Sequence, residues 1–406
     1  MVRDRPGLVA GEAARRHPSR LAAAERAQVG DASPRARLGL SDLVQRIAAS
    51  QVLTPSGIVR DSVVVVDDDG LVEAVEPAAG PVPDRVVAPG FVDLQVNGID
   101  DVDCATADGA DWDRLDQLLL AQGVTTWCPT LVTMPLDRFA APLARIDAAM
   151  HRPDGLRPTI AGAHLEGPFL GGAPGAHPPK HIVPIDPSWI DALPDHVVMV
   201  TLAAEQPLAA DTTRHLRERG VLVSIGHTTA SHEQVIATLD AGASMATHLF
   251  NGMSGLHHRD PGVAASVLTH PTAAASLIAD GVHVHPRMLL LAARALGPDR
   301  TVLVTDAAAW RAGTVGQIGV TMRDGAPRLP DGTLAGSAVT MDAAVRTLVA
   351  AGVPRDHALR AASTVPARLL GLHDRGEIVP GRRADLVVLS PELDVRCTLV
   401  GGVPDR

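Results

Sequence analysis

Eight times between Gly90 and Asp306, a short apolar run stops at a polar residue, and helical text commonly follows. The stops fall near Asn97, Thr130, Glu166, Glu205, His227, His248, His283 and Asp306. Helical patterns occupy Trp112–Gln122, Leu136–Met150, Asp211–Arg219, Ser231–Ala241 and Pro286–Leu296. Alternation of this kind calls for parallel strands joined by helical crossovers. Eight strands is the number that closes a barrel. An open doubly wound sheet shares the alternation but carries a Gly-rich phosphate loop after its first strand. Here the first strand reads Gly90-Phe91-Val92-Asp93-Leu94-Gln95-Val96-Asn97-Gly98, with no such loop behind it. The spacing therefore predicts an α/β fold, a (β/α)8 TIM-like barrel over residues 89–375.

The flanks read differently. Val52-Leu53-Thr54, Ser62–Val66 and Leu71–Val75 are short β-type runs separated by turns, and Ala384–Leu389 and Val395–Val400 repeat the pattern at the other end. Neither set has enough strands to bury a sheet face alone. Residues 45–88 and 376–406 are expected to combine into one small β-sandwich. Residues 1–44 hold eight arginines among Ala, Gly, Pro and Ser with no sustained pattern, and are expected to form a disordered extension.

Composition restricts partners. A formal charge of −10 argues against nucleic acid, so an anionic substrate needs a local basic spot. No apolar run is long enough to span a membrane, and the start lacks a signal-peptide core. Cys104, Cys128 and Cys397 are too widely spaced for a CxxC pair, which fits a reducing cytoplasm.

Most of the 17 histidines read as ordinary, and His17, His151, His196, His215, His232, His357 and His373 are expected at exposed positions. His227 and His248 differ because each ends a buried-looking strand, in the same register as Glu166. In a barrel such ends gather on one face. Two imidazoles and a carboxylate suit a divalent metal with a fourth position open to water, whose pKa the ion lowers toward ~7. Glu166 could instead pair with an arginine, although the Gly167-Pro168 turn behind it favours a ligand. Asp306 also has two readings. An Asp there more commonly caps a following helix, but beside an activated water it can carry a proton.

Many motifs are shared with a known family. They include His164-Leu165-Glu166-Gly167-Pro168-Phe169, Gly175-Ala176-His177, Thr201-Leu202-Ala203-Ala204-Glu205, Gly226-His227-Thr228, Thr247-His248-Leu249-Phe250-Asn251, Ala279-Asp280-Gly281-Val282-His283, Val304-Thr305-Asp306-Ala307 and Leu334-Ala335-Gly336-Ser337. From about Ile47 to Gly401 the chain resembles the N-acetylglucosamine-6-phosphate deacetylase family of the amidohydrolase superfamily. The resemblance implies hydrolysis of the acetamide of N-acetyl-D-glucosamine 6-phosphate to D-glucosamine 6-phosphate and acetate. The alternatives are N-acetylgalactosamine 6-phosphate or another N-acyl substrate, and an inactive paralogue.

It further implies one divalent metal per subunit on Glu166, His227 and His248, with Asp306 as acid and base. Zinc is the first expectation; iron, cobalt and manganese also tolerate the ligand set. Gln95 and Asn97 stand where many superfamily members carry a His-x-His pair for a second metal, so that position is expected vacant. His177 would contact the acetamide carbonyl and stabilise developing charge. Arg259 would bind the phosphate from the neighbouring subunit of a homodimer, as a guanidinium's paired donors suit. Asn251 and Gly252 match positions contacting the same phosphate, and His283 one contacting the sugar. Ala176, Leu334, Ala335 and Gly336 match substrate-lining positions. Three departures stand out. Leu170-Gly171-Gly172-Ala173-Pro174 lacks a lysine often found there, Ala204 replaces a common Pro, and Trp310 places an indole close to Asp306.

Overall fold

A computed structural model describes residues 45–153 and 155–405 of the chain. The expectation for residues 1–44 lies outside the described residues.

Eight parallel strands follow one another around a sheet: Phe91–Val96, Val124–Val132, Ala163–Glu166, Val197–Leu202, Leu222–Ile225, Met245–Ala246, Ala274–Ile278 and Thr301–Val304. They read as nearly unbroken apolar runs because both faces are covered, as parallel sheets require. Phe91–Val96 is buried at all six positions. Val92, Leu94, Met199, Leu222, Met245, Val302 and Val304 pack inside the barrel, while neighbours such as Phe91, Val200 and Leu303 join the larger core outside it. The last strand meets the first where both end. The Asp306 N–H donates to Gln95 O at 3.0 Å, and the Asn97 N–H to Ala307 O at 2.9 Å. Closure thus occurs between the very segments that carry Gln95, Asn97 and Asp306.

Local chemistry sets the crossover helices. His232–Asp240 begins at a capping box in which Ser231 and Gln234 exchange side-chain and backbone hydrogen bonds, satisfying two otherwise orphaned N–H groups. Pro286–Leu296 starts with proline in its first turn and buries Leu289, Ala292, Ala293 and Leu296, the three-and-four spacing of one helical face.

Both chain ends share one seven-stranded mixed sheet, in which Leu386–Leu389 pairs with Val86–Pro89 and with Val395–Val400. Ile47, Val64, Val66, Val87, Leu386, Val388 and Leu399 form its own core. The opposite face, with Leu53, Val86, Ala88, Val387 and Leu389, merges into the core around the barrel. Two small hairpins, Thr314–Val315 with Ile318–Gly319 and Thr321–Arg323 with Ala326–Arg328, follow the last barrel strand. No helix among the described residues is long and apolar enough to cross a membrane.

Candidate metal centre

Glu166 is the last residue of the third strand, and His227, His248 and Asp306 each lie two residues beyond the fifth, sixth and eighth. All four are buried. His227, His248 and Asp306 also share left-handed backbone, with φ of 48°, 32° and 49°. That conformation turns the chain sharply off the strand and aims each side chain into the barrel mouth.

There the polar atoms converge. Glu166 Oε1 lies 3.2 Å from His227 Nε2 and 2.9 Å from His248 Nε2, and the two nitrogens are 3.1 Å apart. His177 Nε2 faces the other oxygen, Oε2, at 3.7 Å. Ligand atoms of Glu166, His177 and His227 all fall within 4.8 Å of one another, so this buried His/Glu cluster is consistent with a metal site. Burial would raise the Glu166 pKa, but hydrogen bonds with His227 and His248 outweigh it and hold the carboxyl well below its usual value. The group is therefore an anion, as a metal ligand must be. His227 Nδ1 lies 3.1 Å from the Ala173 carbonyl. A carbonyl only accepts, so Nδ1 carries a proton, and Nε2, whose N–H meets Glu166 here, would offer its lone pair once that proton gives way to a metal.

Gln95 and Asn97 reach the cluster from the first strand. Gln95 Nε2 donates to Glu166 Oε1 and to Asp306 Oδ1, both at 3.0 Å, and Asn97 Nδ2 donates to Asp306 Oδ1 at 2.7 Å. Carboxylate oxygens only accept, so both amides turn their NH2 groups toward the acids as neutral donors, Gln95 bridging the two and Asn97 holding Asp306 alone. Asp306 caps no helix; the next helix among the described residues begins at Met341. Burial, followed by the charge of Glu166, pushes its pKa up to about 7. Gly336 lies against it: with φ +70°, a Cβ there would come within 2.9 Å of the Asp306 carbonyl. The Ser337 N–H donates to that same oxygen at 2.8 Å.

Residues 86–404 match the sequence model of the amidohydrolase family. The chain belongs to the amidohydrolase family. It is 37% identical over 371 residues to the N-acetylgalactosamine-6-phosphate deacetylase of Escherichia coli O157:H7, covering 88% of this chain and 98% of that protein. With the N-acetylglucosamine-6-phosphate deacetylase of Vibrio furnissii it shares 35% identity over 376 residues, covering 87% of this chain and 93% of that one. Among solved structures it resembles a mutant N-acetyl-D-glucosamine-6-phosphate deacetylase from Mycobacterium smegmatis in complex with N-acetyl-D-glucosamine-6-phosphate. The TM-score is 0.82 at 33% identity, over 89% of this chain and 99% of that chain.

In this amidohydrolase one cavity opens over the cluster, lined by Asn97, Glu166, His177, His227, His248 and Asp306 together with Ala176, Asn251, Gly252, His283, Leu334, Ala335 and Gly336. Thr133 reaches His177 Nδ1 with its N–H at 3.3 Å and its hydroxyl at 2.9 Å. An N–H can only donate, so Nδ1 accepts and the ring proton sits on Nε2, facing the cavity. Burial, then the neighbouring His227, pushes the His177 pKa down to about 3, leaving a neutral donor. Asp280 orients His283 through a 2.6 Å contact with Nδ1.

Two residues lie elsewhere. Arg259 is exposed and does not line this cavity, and neither does Trp310, whose ring instead stacks beneath the Arg311 guanidinium at 4.9 Å. Sequence patterns missed Val132, Ile278, Val315 and Ile318, which supply an apolar wall. Val315 and Ile318 belong to strands of two residues each, too short to show a periodicity.

Proposed function

We propose that this amidohydrolase removes the acetyl group from an N-acetylhexosamine 6-phosphate, with N-acetyl-D-glucosamine 6-phosphate as substrate and D-glucosamine 6-phosphate and acetate as products. The observation that carries the reading is the triangle of Glu166 Oε1, His227 Nε2 and His248 Nε2, with sides of 2.9–3.2 Å and Asp306 tethered beside it. Tetrahedral ligands at metal distances of about 2.0–2.1 Å lie about 3.3–3.4 Å apart, so a small outward movement seats one ion. Glu166, His227 and His248 would hold that metal, with His177 on the cavity side of Glu166. A divalent metal bound there supplies Lewis acidity and lowers the pKa of water. Zinc suits the donor set, with iron, cobalt and manganese as alternatives. Gln95 and Asn97 offer amides where a second cation would need anionic or imidazole ligands, so one metal per chain is the reading.

The remaining steps belong to the protein. Asp306 Oδ1 takes both amide N–H groups, which leaves Oδ2 to accept a proton from water and return it to the departing amine nitrogen. A carboxyl raised toward neutrality is suited to both transfers. His177 donates Nε2–H to the amide oxygen as negative charge builds there. Asn251 and Gly252 receive the phosphate, and Arg259 from a second copy of the chain completes its charge balance, making the active form a homodimer. His283, Ala176, Leu334, Ala335 and Gly336 line the sugar.

Acetate release from a panel of N-acetyl sugars tests this. Turnover of N-acetylglucosamine 6-phosphate well above its unphosphorylated form is expected. Equal turnover of the two would remove the phosphate role, and faster turnover of the galactosamine isomer would reassign the sugar.

A further inference from the structure

Glu205 closes the run Thr201-Leu202-Ala203-Ala204-Glu205 just beyond the fourth strand, yet it does not line the cavity. Its carboxylate instead joins two loops. Oε1 accepts the N–H of Gly172 at 2.8 Å, from the loop after the third strand. The same oxygen accepts the N–H of Thr229 at 2.9 Å, two residues beyond His227. Oε2 accepts the Thr228 hydroxyl. The bridged loop is the Gly-rich segment 170–174, and it also touches His227 directly. The Gly171 N–H donates to the His227 carbonyl at 2.8 Å, and the Ala173 carbonyl takes the imidazole Nδ1 proton at 3.1 Å.

We infer that Glu205 is a positioning residue for the metal ligand His227, acting through Gly172 and the Ala173 carbonyl to hold the imidazole in its Nε2-donor tautomer. The inference rests on the reading of His227 as a ligand. Three features support it. A carboxylate accepting backbone N–H groups makes stronger bonds than a neutral acceptor, so one side chain can hold both loops. The glycines are needed for the approach, because a Cβ at Gly171 would lie 1.9 Å from Glu205 Oε1 and one at Gly172 would lie 2.3 Å from Thr229 Oγ1. A ligating histidine also depends on the partner of its other nitrogen for ring orientation, and loss of such a partner weakens metal affinity by about 10–100-fold.

The test is the zinc dissociation constant of the full chain, measured by chelator competition, for Glu205→Met, Glu205→Gln, Gly172→Ala and His227→Ala. Glu205→Met is expected to weaken zinc binding by about 10–100-fold. Gly172→Ala, whose Cβ would crowd Thr229 within the bridge at 2.3 Å from Oγ1 while keeping Glu205, should do the same even where Glu205→Met fails to fold. Glu205→Gln should restore binding, since its amide oxygen can keep both N–H bonds and its NH2 can donate to Thr228. In 15N spectra of zinc-loaded protein, the His227 Nδ1 proton should exchange faster in Gly172→Ala than in the parent. Unchanged zinc affinity in Gly172→Ala and in folded Glu205→Met, with His227→Ala losing the metal, overturns the inference and leaves the ligand set standing. Wild-type affinity in His227→Ala overturns both.

Discussion

His227, His248 and Asp306 share a left-handed backbone, a conformation uncommon outside glycine that costs of order 1–3 kcal/mol at each residue. Three such residues line one cavity, so the fold concentrates backbone strain there. Asp306→Asn keeps the shape and the contact with Asn97 but removes the carboxyl proposed to carry the proton. It is expected to lower kcat by about 10²–10⁴-fold with zinc content unchanged, as read by acetate release alongside metal analysis. On the first strand, two residues before Gln95, the buried Asp93 accepts the Thr305 hydroxyl at 2.6 Å, and burial pushes its pKa up to about 7. Between 3.8, the ordinary value for this carboxyl, and about 7 the folded chain keeps this proton while the unfolded chain has lost it. The contribution of Asp93 is therefore fully present below 3.8 and declines as pH rises to about 7. Melting of Asp93→Asn against the parent between pH 5 and pH 8 should show the variant gaining relative stability as pH rises. The polar side chains of the site were legible in the sequence because each interrupts an apolar run. The Ala173 carbonyl and the Thr133 N–H were not, because backbone groups leave no trace in residue identity. His357 reverses its expectation: it is buried and bonds Thr301 at 2.9 Å, although Arg355 and Asp356 give its surroundings a polar reading.

At the scale of elements, the alternating text placed the strands well and their ends less well. The seventh strand stops at Ile278, five residues before His283. In the intervening turn, Asp280 accepts the N–H groups of Val282 and His283 with its own side chain. The hairpin of Thr314–Val315 and Ile318–Gly319 had no legible signal, yet it brings Val315 and Ile318 to the cavity. Asp103 fastens it, accepting the Thr314 hydroxyl at 3.0 Å and the Gly316 N–H at 2.7 Å. Losing a buried acceptor of two donors costs about 1–3 kcal/mol, here felt as a loosened cavity wall. Asp103→Ala is expected to raise KM by up to about tenfold with a smaller change in kcat. Steady-state kinetics on the phosphorylated sugar reads this directly, and a kcat loss with KM unchanged would separate the hairpin from substrate binding.

Across the whole molecule, both chain ends support the barrel through one sheet. Leu386 sits in a central strand of that sheet, with its side chain in the sheet's own core. Leu386→Ala is expected to cost about 2–5 kcal/mol, seen as a lower urea midpoint, with turnover of the remaining folded protein unchanged. The pairing of the two ends could be anticipated from strand numbers. The continuous path of the sheet could not, because register depends on partners distant in sequence. Barrel closure does the rest, bringing Gln95 and Asn97 of the first strand against Asp306 beyond the last. On the proposed reading, this closure builds one metal site on Glu166, His227 and His248. The direct measurement is an anomalous-scattering map of zinc-loaded crystals. One peak per chain is expected, at about 2.0–2.2 Å from the Glu166 carboxylate and both Nε2 atoms. A second peak beside Gln95 and Asn97, or a single peak bound by His177 in place of His248, would contradict it.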